Sequence, residues 1–439
     1  MRPRGLEEIV RTLEGSWLGP ASVPTRISGA TIDSRRVRPG DLFFALAGEH
    51  VHGVSFARTA HEAGAVATVC DRAAVALLRA QGFDGGSIVV ADAAVALAKL
   101  AESVRREEAE SLPAAAVTGS VGKTTTCGYA AQLLESCGVV HRPPSSYNNH
   151  LGVPLTVLNA PPECDYLIAE VGTSAPGEVY RYATWVRPRV AVVTAVAPAH
   201  LQGLADLEHI ELEKLSILET LDGDGAGWIP RALAEKHASL LRNLSSQVRT
   251  FGPGGDLEIR SNAILGTEHE LILRDGSELR TRFEWRAPFP HSIRNLECAL
   301  AVGMSLGVDL RRLIEGVERL DSPPLRGETV RHGGVDFVLD CYNANPASME
   351  SAIERLENEP TRGRRICVVG TMEELGAQEQ HWHRRLGGRL ASAKLDRVFV
   401  IGRGREWYAE AMTERGIEPQ RISDDEDSVE LLASQLEPG

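Results

Sequence analysis

Short apolar runs that alternate with helical stretches organise the middle of this chain. The runs are 114–117, 166–169 and 190–193, and the last two are each preceded by a helical or turn segment. Such runs are typical of strands buried on both faces, so their alternation predicts a parallel sheet with crossover helices. Between about 250 and 290 shorter runs with Gly and Asp turns predict a small antiparallel sheet, and a helix follows at 295–306.

The same pattern returns in the last third of the chain, after the linker sequence Ser322-Pro323-Pro324. The runs 337–340, 366–370 and 398–402 end in small or polar residues and alternate with helical stretches. They predict a second α/β unit with a Rossmann-like layout, in which ligands bind at the strand ends. Asp340 is therefore a candidate ligand contact.

Length and pattern together predict three domains. A chain of 439 residues is too long for one ordinary core. The first block ends in the charged helical stretch 105–108, before Leu112-Pro113. We therefore predict an α/β protein with an N-terminal α/β domain at 1–108, a central parallel-sheet domain at 109–321 and a C-terminal Rossmann-like domain at 322–439.

The composition of the chain limits the kinds of molecule that we expect it to bind. The chain is 43% hydrophobic and 24% charged, as globular proteins are, and its formal net charge of -13 disfavours a general nucleic-acid or membrane binder. The start, Met1-Arg2-Pro3-Arg4, lacks the apolar core of a signal peptide, and no apolar run has the length of a membrane span. The seven cysteines include no Cys-x-x-Cys pair, so we expect reduced thiols in a cytoplasmic protein.

The clearest chemical motif is a glycine-rich loop, Gly119-Ser120-Val121-Gly122-Lys123-Thr124-Thr125, directly after the run 114–117. Glycines let backbone N–H groups converge on phosphate oxygens, and the helix that begins near Lys123 points its positive end at them. Lys123 would reach the β- and γ-phosphates of ATP, and the Thr124 hydroxyl would bind Mg²⁺. The alternative is a plain strand-to-helix turn with an exposed lysine, but the flanking strand and helix start favour the phosphate site.

Three later residues could complete a metal and phosphate site. Glu170 ends the run 166–169, where a carboxylate can hold Mg²⁺, although a glutamate there can also be a solvated rim residue. By position alone, His200 is more simply a loop or core histidine than a metal ligand. Lys214 lies among glutamates, a pattern that favours a solvated lysine on a helix face.

Several polar turns carry weaker signals. Asp340, Asn343 and Asn345 follow a predicted strand, where helix capping explains one asparagine and ligand binding could explain the set. Asn148-Asn149 is most simply a turn, and Asp33-Ser34-Arg35 looks like turn chemistry beside a buried strand. By themselves these turns indicate no function.

Taken in order, these segments resemble the Mur ligase family over nearly the whole chain. The segment Asp33-Ser34-Arg35 with 39–46 is similar to the family's uridine-nucleotide domain, and 118–125 is similar to its ATP loop. The segments 148–156, 170–172 and 199–201 match its central domain. The most specific matches are Asp340-Cys341-Tyr342-Asn343-Ala344-Asn345-Pro346 and Gly370-Thr371-Met372, with His383 following.

The resemblance implies roles for individual residues. Lys214 falls where the family has a lysine that CO₂ can carbamylate, so that the product supports a second Mg²⁺. The implied catalytic residues are Lys123, Glu170, His200 and Lys214, and the implied metal ligands are Thr124, Glu170, His200 and Lys214. ATP would also be contacted by Asn295 at the adenine, by Arg326 on domain closure, and by Asp340 and Asn343. The implied substrate contacts are Ser34, Arg35, Asn148, Asn149, Asn345 and His383.

The resemblance also implies an activity. The family's dipeptide-adding branch joins D-alanyl-D-alanine (D-Ala-D-Ala) to UDP-N-acetylmuramoyl-tripeptide (UDP-MurNAc-tripeptide) through an acyl phosphate, and the form of 342–346 favours this branch. We expect a monomer that uses ATP and two Mg²⁺ ions in peptidoglycan precursor synthesis. Cys127, His150, Ser216 and Thr371 depart from the family's pattern. Two alternatives stay open: a Mur-type ligase with a different amino substrate, and a nucleotide-binding paralogue without ligase activity.

Overall fold

The structure is a computed structural model, and it describes residues 1–20, 26–197, 206–244, 246–263, 266–361, 363–373 and 375–436. Within these ranges the chain forms α/β blocks in sequence order. No helix in the described ranges combines the length and the apolar character needed to cross a membrane.

The first sheet lies in the N-terminal block and runs in the order β1-β5-β4-β3-β2. Its strands are β1 (Ser16–Leu18), β2 (Gly29–Thr31), β3 (Asp41–Phe44), β4 (Ala67–Asp71) and β5 (Ser87–Val90). The helices of this block are α1 (Leu6–Thr12), α2 (Ala57–Glu62), α3 (Ala74–Ala80) and α4 (Ala93–Glu108). Strands β2 to β5 are parallel, and β1 is antiparallel to β5.

The second sheet spans the central block in the order β14-β13-β12-β11-β10-β9-β6-β8-β7. Its strands are β6 (Ala114–Thr118), β7 (Val140–His141), β8 (Tyr166–Glu170), β9 (Val190–Val193), β10 (Ala226–Pro230), β11 (Gln247–Phe251), β12 (Leu257–Ser261), β13 (Glu268–Asp275) and β14 (Ser277–Glu284). The strands predicted at 114–117, 166–169 and 190–193 are confirmed as β6, β8 and β9. The predicted antiparallel strands are β12 to β14, and the pairing of Phe251 with Leu257 joins them to the parallel part.

Helices cover both faces of the central sheet. They are α5 (Lys123–Leu134), α6 (Gly152–Leu158), α7 (Glu178–Val186), α8 (Leu207–Leu215), α9 (Arg231–Lys236), α10 (Ala238–Leu241), α11 (Ser292–Ser305) and α12 (Leu310–Val317). Helix α4 packs against α6 and α7, so the core of the first block continues into the central one. Arg105 of α4 is buried there because its guanidinium donates to the carbonyls of Leu112, Val186 and Arg187.

The topology brings three strand ends together. Strand β6 lies between β8 and β9, and all three are parallel. Val117 is in register with Glu170, and Thr118 is in register with Val193. The loop that follows β6 therefore opens beside the carboxyl ends of its two neighbours, which is where α/β sheets bind ligands.

The last block combines a parallel sheet with a hairpin. Its strands are β15 (Glu328–His332), β16 (Val335–Leu339), β17 (Ile366–Val369), β18 (Arg397–Val400) and β19 (Gln420–Arg421), and its helices are α13 (Pro346–Asn358), α14 (Glu379–Ser392), α15 (Arg405–Thr413) and α16 (Glu426–Ser434). Strands β17, β18 and β19 are parallel and alternate with helices, as a Rossmann-like layout requires. The run predicted at 337–340 pairs instead with β15, because Gly333 and Gly334 both adopt positive φ and form a tight hairpin turn.

Candidate nucleotide and metal site

Two glycines give the phosphate loop its shape. Gly119 has φ +147° and Gly122 has φ +87°. A Cβ atom would lie 2.1 Å from Thr194 Oγ1 at Gly119 and 2.3 Å from Asn295 Oδ1 at Gly122, so no side chain fits at either position. Gly122 is also the N-cap of α5, whose first N–H groups therefore face the loop.

Lys123, Thr124 and Glu170 meet at the mouth of the loop. Lys123 Nζ donates to the carbonyls of Gly119 at 2.7 Å and Ser120 at 3.3 Å. Thr124 Oγ1 donates to Glu170 Oε2 at 2.7 Å, and Asn148 Nδ2 donates to Glu170 Oε1 at 2.7 Å. The buried Glu170 is therefore a fixed acceptor beside the loop rather than a solvated rim residue.

Ser146 lies within the same group and was not predicted. Its hydroxyl is 3.1 Å from Thr124 Oγ1 and accepts from Arg326 Nη2 at 3.4 Å. In the sequence it stands in a Pro- and Ser-rich turn before Asn148, which carries no recognisable signal. Only the approach of Thr124 and Arg326 identifies Ser146 as part of the site.

The loop opens into a cavity of about 280 Å³ between the central and the last block. Its lining comprises Ser120, Val121, Gly122, Lys123, Thr124, Thr125, Ser146, Asn148, Glu170, Phe289, His291, Ser292, Arg326, Asp340, Tyr342, Asn343, Asn345 and Ser348. The strand-end residues predicted in the last block thus face the phosphate loop across one cavity.

The wall from the last block carries opposite charges. The Arg326 guanidinium lies over the Tyr342 ring, 4.2 Å from its centroid. Burial raises the pKa of Asp340 to about 6, and the positive charges of Arg326 and Arg355 oppose this rise.

The two asparagines of this wall bond to nearby backbone. Asn343 Oδ1 accepts from the Ala344 N–H, and Asn345 caps α13 by accepting from the Ser348 N–H. Asn345 therefore has a capping role and also lines the cavity.

Asn295 supports the loop from α11. It is buried, its Oδ1 faces Gly122, and its Nδ2 has no hydrogen-bond partner among the described residues. An unpaired buried donor is costly unless a ligand satisfies it. Asn295 thus places a buried donor without a described partner directly behind the loop.

Lys214 is not the solvated lysine that its neighbours along the sequence suggest. Its side chain is buried, and Nζ has no hydrogen-bond partner within the described ranges. Burial lowers the pKa of Lys214 to about 7, and the positive charge of Lys123 acts in the same direction. CO₂ reacts with neutral amines, and a pKa of about 7 makes a substantial fraction of Lys214 neutral at pH 7.

Hard oxygen donors in the site suit Mg²⁺. The Thr124 and Ser146 hydroxyls and the Glu170 carboxylate lie together, and oxygen is the donor that Mg²⁺ prefers. In the part of the chain that the structure describes, no group of three or more His, Cys, Asp or Glu side chains is arranged so that it could hold a metal ion. The predicted ligand His200 lies outside the described residues.

Some predicted contacts do not reach the cavity. His383 is fully buried in the last block, where Nε2 accepts from the Met372 N–H and Nδ1 lies 2.7 Å from the Glu379 carbonyl. This arrangement gives it a structural role instead of the expected contact with substrate. Asn149 Oδ1 accepts from the Leu151 and Gly152 N–H groups at the start of α6.

A second cavity, of about 340 Å³, lies between the first and central blocks. Arg36, Arg38, Arg142 and Tyr147 are among its lining residues. Arg36 donates to the Tyr147 hydroxyl, whereas the predicted contact Arg35 is exposed and paired with Asp33. Ser34 begins the short 3₁₀ turn Ser34–Arg36 and is not among the lining residues, so this turn directs Arg36 rather than Ser34 or Arg35 towards the cavity.

Replacement of Gly122 by alanine is expected to weaken ADP binding at least about tenfold, because the new Cβ displaces Asn295 and the loop. Gly276→Ala is the matched control: its φ is +71°, but nothing lies within 4 Å of the added Cβ. Both variants should lose about 1 kcal/mol of stability from the left-handed backbone, and Gly122→Ala should lose more because its Cβ also clashes with Asn295. Isothermal titration calorimetry measures the ADP affinity of each variant separately from its loss of stability. Equal ADP affinities of the two variants would contradict the tight packing of the loop at Gly122.

Comparisons with known proteins cover the whole chain. Residues 26–118 match the model described as "Mur ligase family, catalytic domain", 117–303 match "Mur ligase middle domain", and 325–439 match "Mur ligase, glutamate ligase domain". The UDP-N-acetylmuramoyl-tripeptide--D-alanyl-D-alanine ligase of Bacillus subtilis is 30% identical over 100% of this chain and 93% of its own length. The Synechocystis protein of the same name is 32% identical over 94% of this chain and 88% of its own length.

Solved structures agree with these relatives. A crystal structure of MurF from Acinetobacter baumannii superposes with a TM-score of 0.83 at 26% identity, covering 99% of this chain and 93% of that one. MurF from Thermotoga maritima in complex with ADP gives a TM-score of 0.76 at 28% identity, covering 94% and 92%. Sequence, fold and the order of the motifs coincide along the full length, so the chain belongs to the Mur ligase family.

Proposed function

We propose that this protein joins D-Ala-D-Ala to UDP-MurNAc-tripeptide with ATP, in cytoplasmic peptidoglycan precursor synthesis. The observation that carries the proposal is the cavity where Lys123 and Glu170 face Arg326 and Asp340. Relatives that bear this activity in their names match nearly the whole chain. Both nucleotides of the reaction are cytoplasmic metabolites, which supports that location.

Each block has a role in this proposal. Residues 1–108 bind the uridine nucleotide, 109–321 bind ATP, and 322–439 bring the amino substrate. The second cavity, with its arginines, supports the first role because guanidinium groups bind phosphates well. In this proposal the protein acts as a monomer.

The first step is phosphoryl transfer. The tripeptide carboxylate attacks the γ-phosphorus of ATP, the bond to the β-phosphate oxygen breaks, and ADP leaves, giving an acyl phosphate. Lys123 and the N–H groups at the start of α5 hold the phosphates, and Arg326 approaches from the opposite wall. Positioning and charge neutralisation account for most of the rate in such a reaction.

The second step forms the amide. The neutral amine of D-Ala-D-Ala attacks the acyl carbon, and the tetrahedral intermediate expels phosphate and loses a proton. Phosphate is a far better leaving group than the original carboxylate oxygen, which is why ATP is consumed. A cavity lined by two blocks would limit the access of water to the acyl phosphate once the blocks close on it.

The oxygen donors of Thr124, Glu170 and Ser146 would hold Mg²⁺, which when bound neutralises charge on the phosphates. Lys214, once carbamylated, would offer a carboxylate to a second ion. The Lys214 amine is buried and has no hydrogen-bond partner among the described residues, and its pKa is lowered; both observations support this role.

A turnover assay tests the function. Phosphate release is measured with UDP-MurNAc-tripeptide and a panel of amines, including D-Ala-D-Ala, D-alanine and single amino acids. Release that requires D-Ala-D-Ala supports the proposal. Release with another amine supports the alternative of a changed amino substrate, and nucleotide binding without turnover with any amine supports a paralogue that lacks ligase activity.

Arg36 provides a separate test of the uridine-nucleotide site. Arg36→Ala is expected to raise the KM for the UDP substrate about tenfold with little change in kcat, because it removes a guanidinium that can pair with phosphate. Arg35→Ala is the matched control, since Arg35 is exposed and bonded to Asp33. Steady-state kinetics of the two variants show which arginine binds the UDP substrate. A larger rise in KM for Arg35→Ala than for Arg36→Ala would assign that role to Arg35.

A further inference from the structure

One contact outside the cavity holds the chain at the point where it leaves the central block for the last block. Helix α5 begins at the phosphate loop and carries Gln132 nine residues after Lys123. Gln132 Nε2 donates to the Asp321 carbonyl at 3.0 Å, and Gln132 Oε1 accepts from the Asp321 N–H at 2.9 Å. Two bonds to one residue fix both the position and the direction of the backbone where the chain leaves the central block.

The following residues stay on the same helix. Pro323 lies against α5 at Gly128, where a Cβ would come within 3.2 Å of Pro323 Cγ. The rings of Pro323 and Pro324 fix φ at both positions. The segment 321–324 is therefore a short anchored linker on α5.

The chain is bound to the last block from Leu325 onwards. The Gly327 N–H donates to the Leu339 carbonyl at 2.8 Å, and the Gly327 carbonyl accepts from the buried Arg355 at 3.1 Å. The Tyr342 N–H donates to the Leu325 carbonyl at 3.2 Å. Leu325 lies where the two anchored parts meet, in a turn closed by the Arg326 N–H donating to the Pro323 carbonyl at 3.1 Å. It has φ +60°, a conformation that residues other than glycine rarely adopt.

The residue after this point reaches the cavity. Arg326 lies over Tyr342 and donates to Ser146, which contacts Thr124 of the loop. A change of φ or ψ at Leu325 moves Arg326 relative to the phosphate loop. Displacements of about 1 Å at a reacting group can cost about 100-fold in rate.

We propose that Gln132 is a positioning residue for the ligase reaction. By holding Asp321 on α5, it confines the pivot of the last block to Leu325 and sets Arg326 against the phosphates that the loop binds. This inference rests on the proposed function. Because alanine is the best helix former, Gln132→Ala removes the contact and leaves α5 intact.

A double-mutant cycle with Arg326→Ala tests the proposal. Gln132→Ala should lower kcat about tenfold and leave the KM for the UDP substrate within about twofold, since that site lies elsewhere. In an Arg326→Ala background it should have no further effect, because no guanidinium remains to be positioned. Glu135→Ala, an exposed change at the end of the same helix, is the control and should match the wild type.

Nucleotide binding gives a second readout that needs no amide formation. The same four proteins of the cycle are titrated with Mg²⁺ and a nonhydrolysable ATP analogue. Gln132→Ala should weaken binding in the wild-type background only. If the wild type binds the analogue but forms no amide, the proposed function is wrong. The binding measurements on the four proteins would then still test whether Gln132 positions Arg326. Additive losses, or a Gln132→Ala variant equal to the wild type, would overturn that role.

Discussion

Replacement of Lys123 by alanine is expected to lower the rate of ATP-dependent ligation about 1000-fold, which corresponds to about 4 kcal/mol. Lys123 Nζ lies against the carbonyls of Gly119 and Ser120 and lines the cavity beside Thr124 and Glu170. Lys123 is the one basic residue of the loop 119–125, so in the proposed reaction it would supply the loop's positive charge to the transferred phosphate. When that charge is lost, the α5 N-terminus, Mg²⁺ and Arg326 remain to stabilise the phosphate.

Initial-rate measurements of phosphate release provide the check. Lys394→Ala is the matched control, since Lys394 is exposed in the last block and its side chain has no role in the site. The thermal midpoint of Lys123→Ala should stay close to that of the wild type, because Lys123 is not part of a core. Full activity in Lys123→Ala would remove the argument that this loop binds ATP.

Replacement of Lys214 by methionine is expected to lower the ligation rate at least about 100-fold while raising thermal stability. The activity falls because no carbamate can form to support a metal ion. The stability rises because methionine fills the same buried space without an amine that has no hydrogen-bond partner among the described residues. These opposite changes distinguish a functional lysine from a structural one.

The effect of Lys214 on stability has a definite pH dependence. The pKa of Lys214 is about 7 in the folded protein against the usual 10.5, so between these values the unfolded chain binds more protons. Wild-type stability therefore rises with pH across this window. In CO₂-depleted buffer the advantage of Lys214→Met should be largest at pH 7 and below, and should shrink towards pH 10.

Two measurements check the proposed carbamate. A ¹³C resonance from added ¹³CO₂ should be present in the wild type and in Lys394→Met and absent in Lys214→Met. The rate should rise as the pH increases through about 7, because only the neutral amine reacts with CO₂. Full wild-type activity without CO₂ and without that resonance would rule the carbamate out.

Local sequence was sufficient for much of the fold. The runs 114–117, 166–169 and 190–193 are continuous and apolar because β6, β8 and β9 are covered on both faces, and that requirement is visible without a structure. The hairpin of β15 and β16 was missed, although Gly333-Gly334 between two short runs carried its signal. That error came from reading 337–340 as part of the parallel sheet.

Lys214 illustrates where local pattern fails. Its spacing from Glu211 predicts an ion pair on a helix face. Glu211 instead pairs with Lys236 and His237, at 2.6 and 2.7 Å, and Glu213 accepts from the N–H groups of Gly177 and Val179. Both carboxylates thus bond to other elements, and neither of them forms a hydrogen bond with the buried Lys214 Nζ.

The sequence by itself determined the phosphate loop, because its glycines, its lysine and the helix start are neighbours along the chain and need only local geometry. Tertiary structure decided the rest of the site. Glu170 reaches Thr124 because β8 pairs with β6, and Arg326 reaches Ser146 because the last block packs over the loop. His383 is buried in the core of the last block, where its ring packs against Tyr408. Arg36, and not Arg35, lines the cavity between the first and central blocks. Such choices depend on which distant surfaces meet, and spacing along a chain does not contain that information.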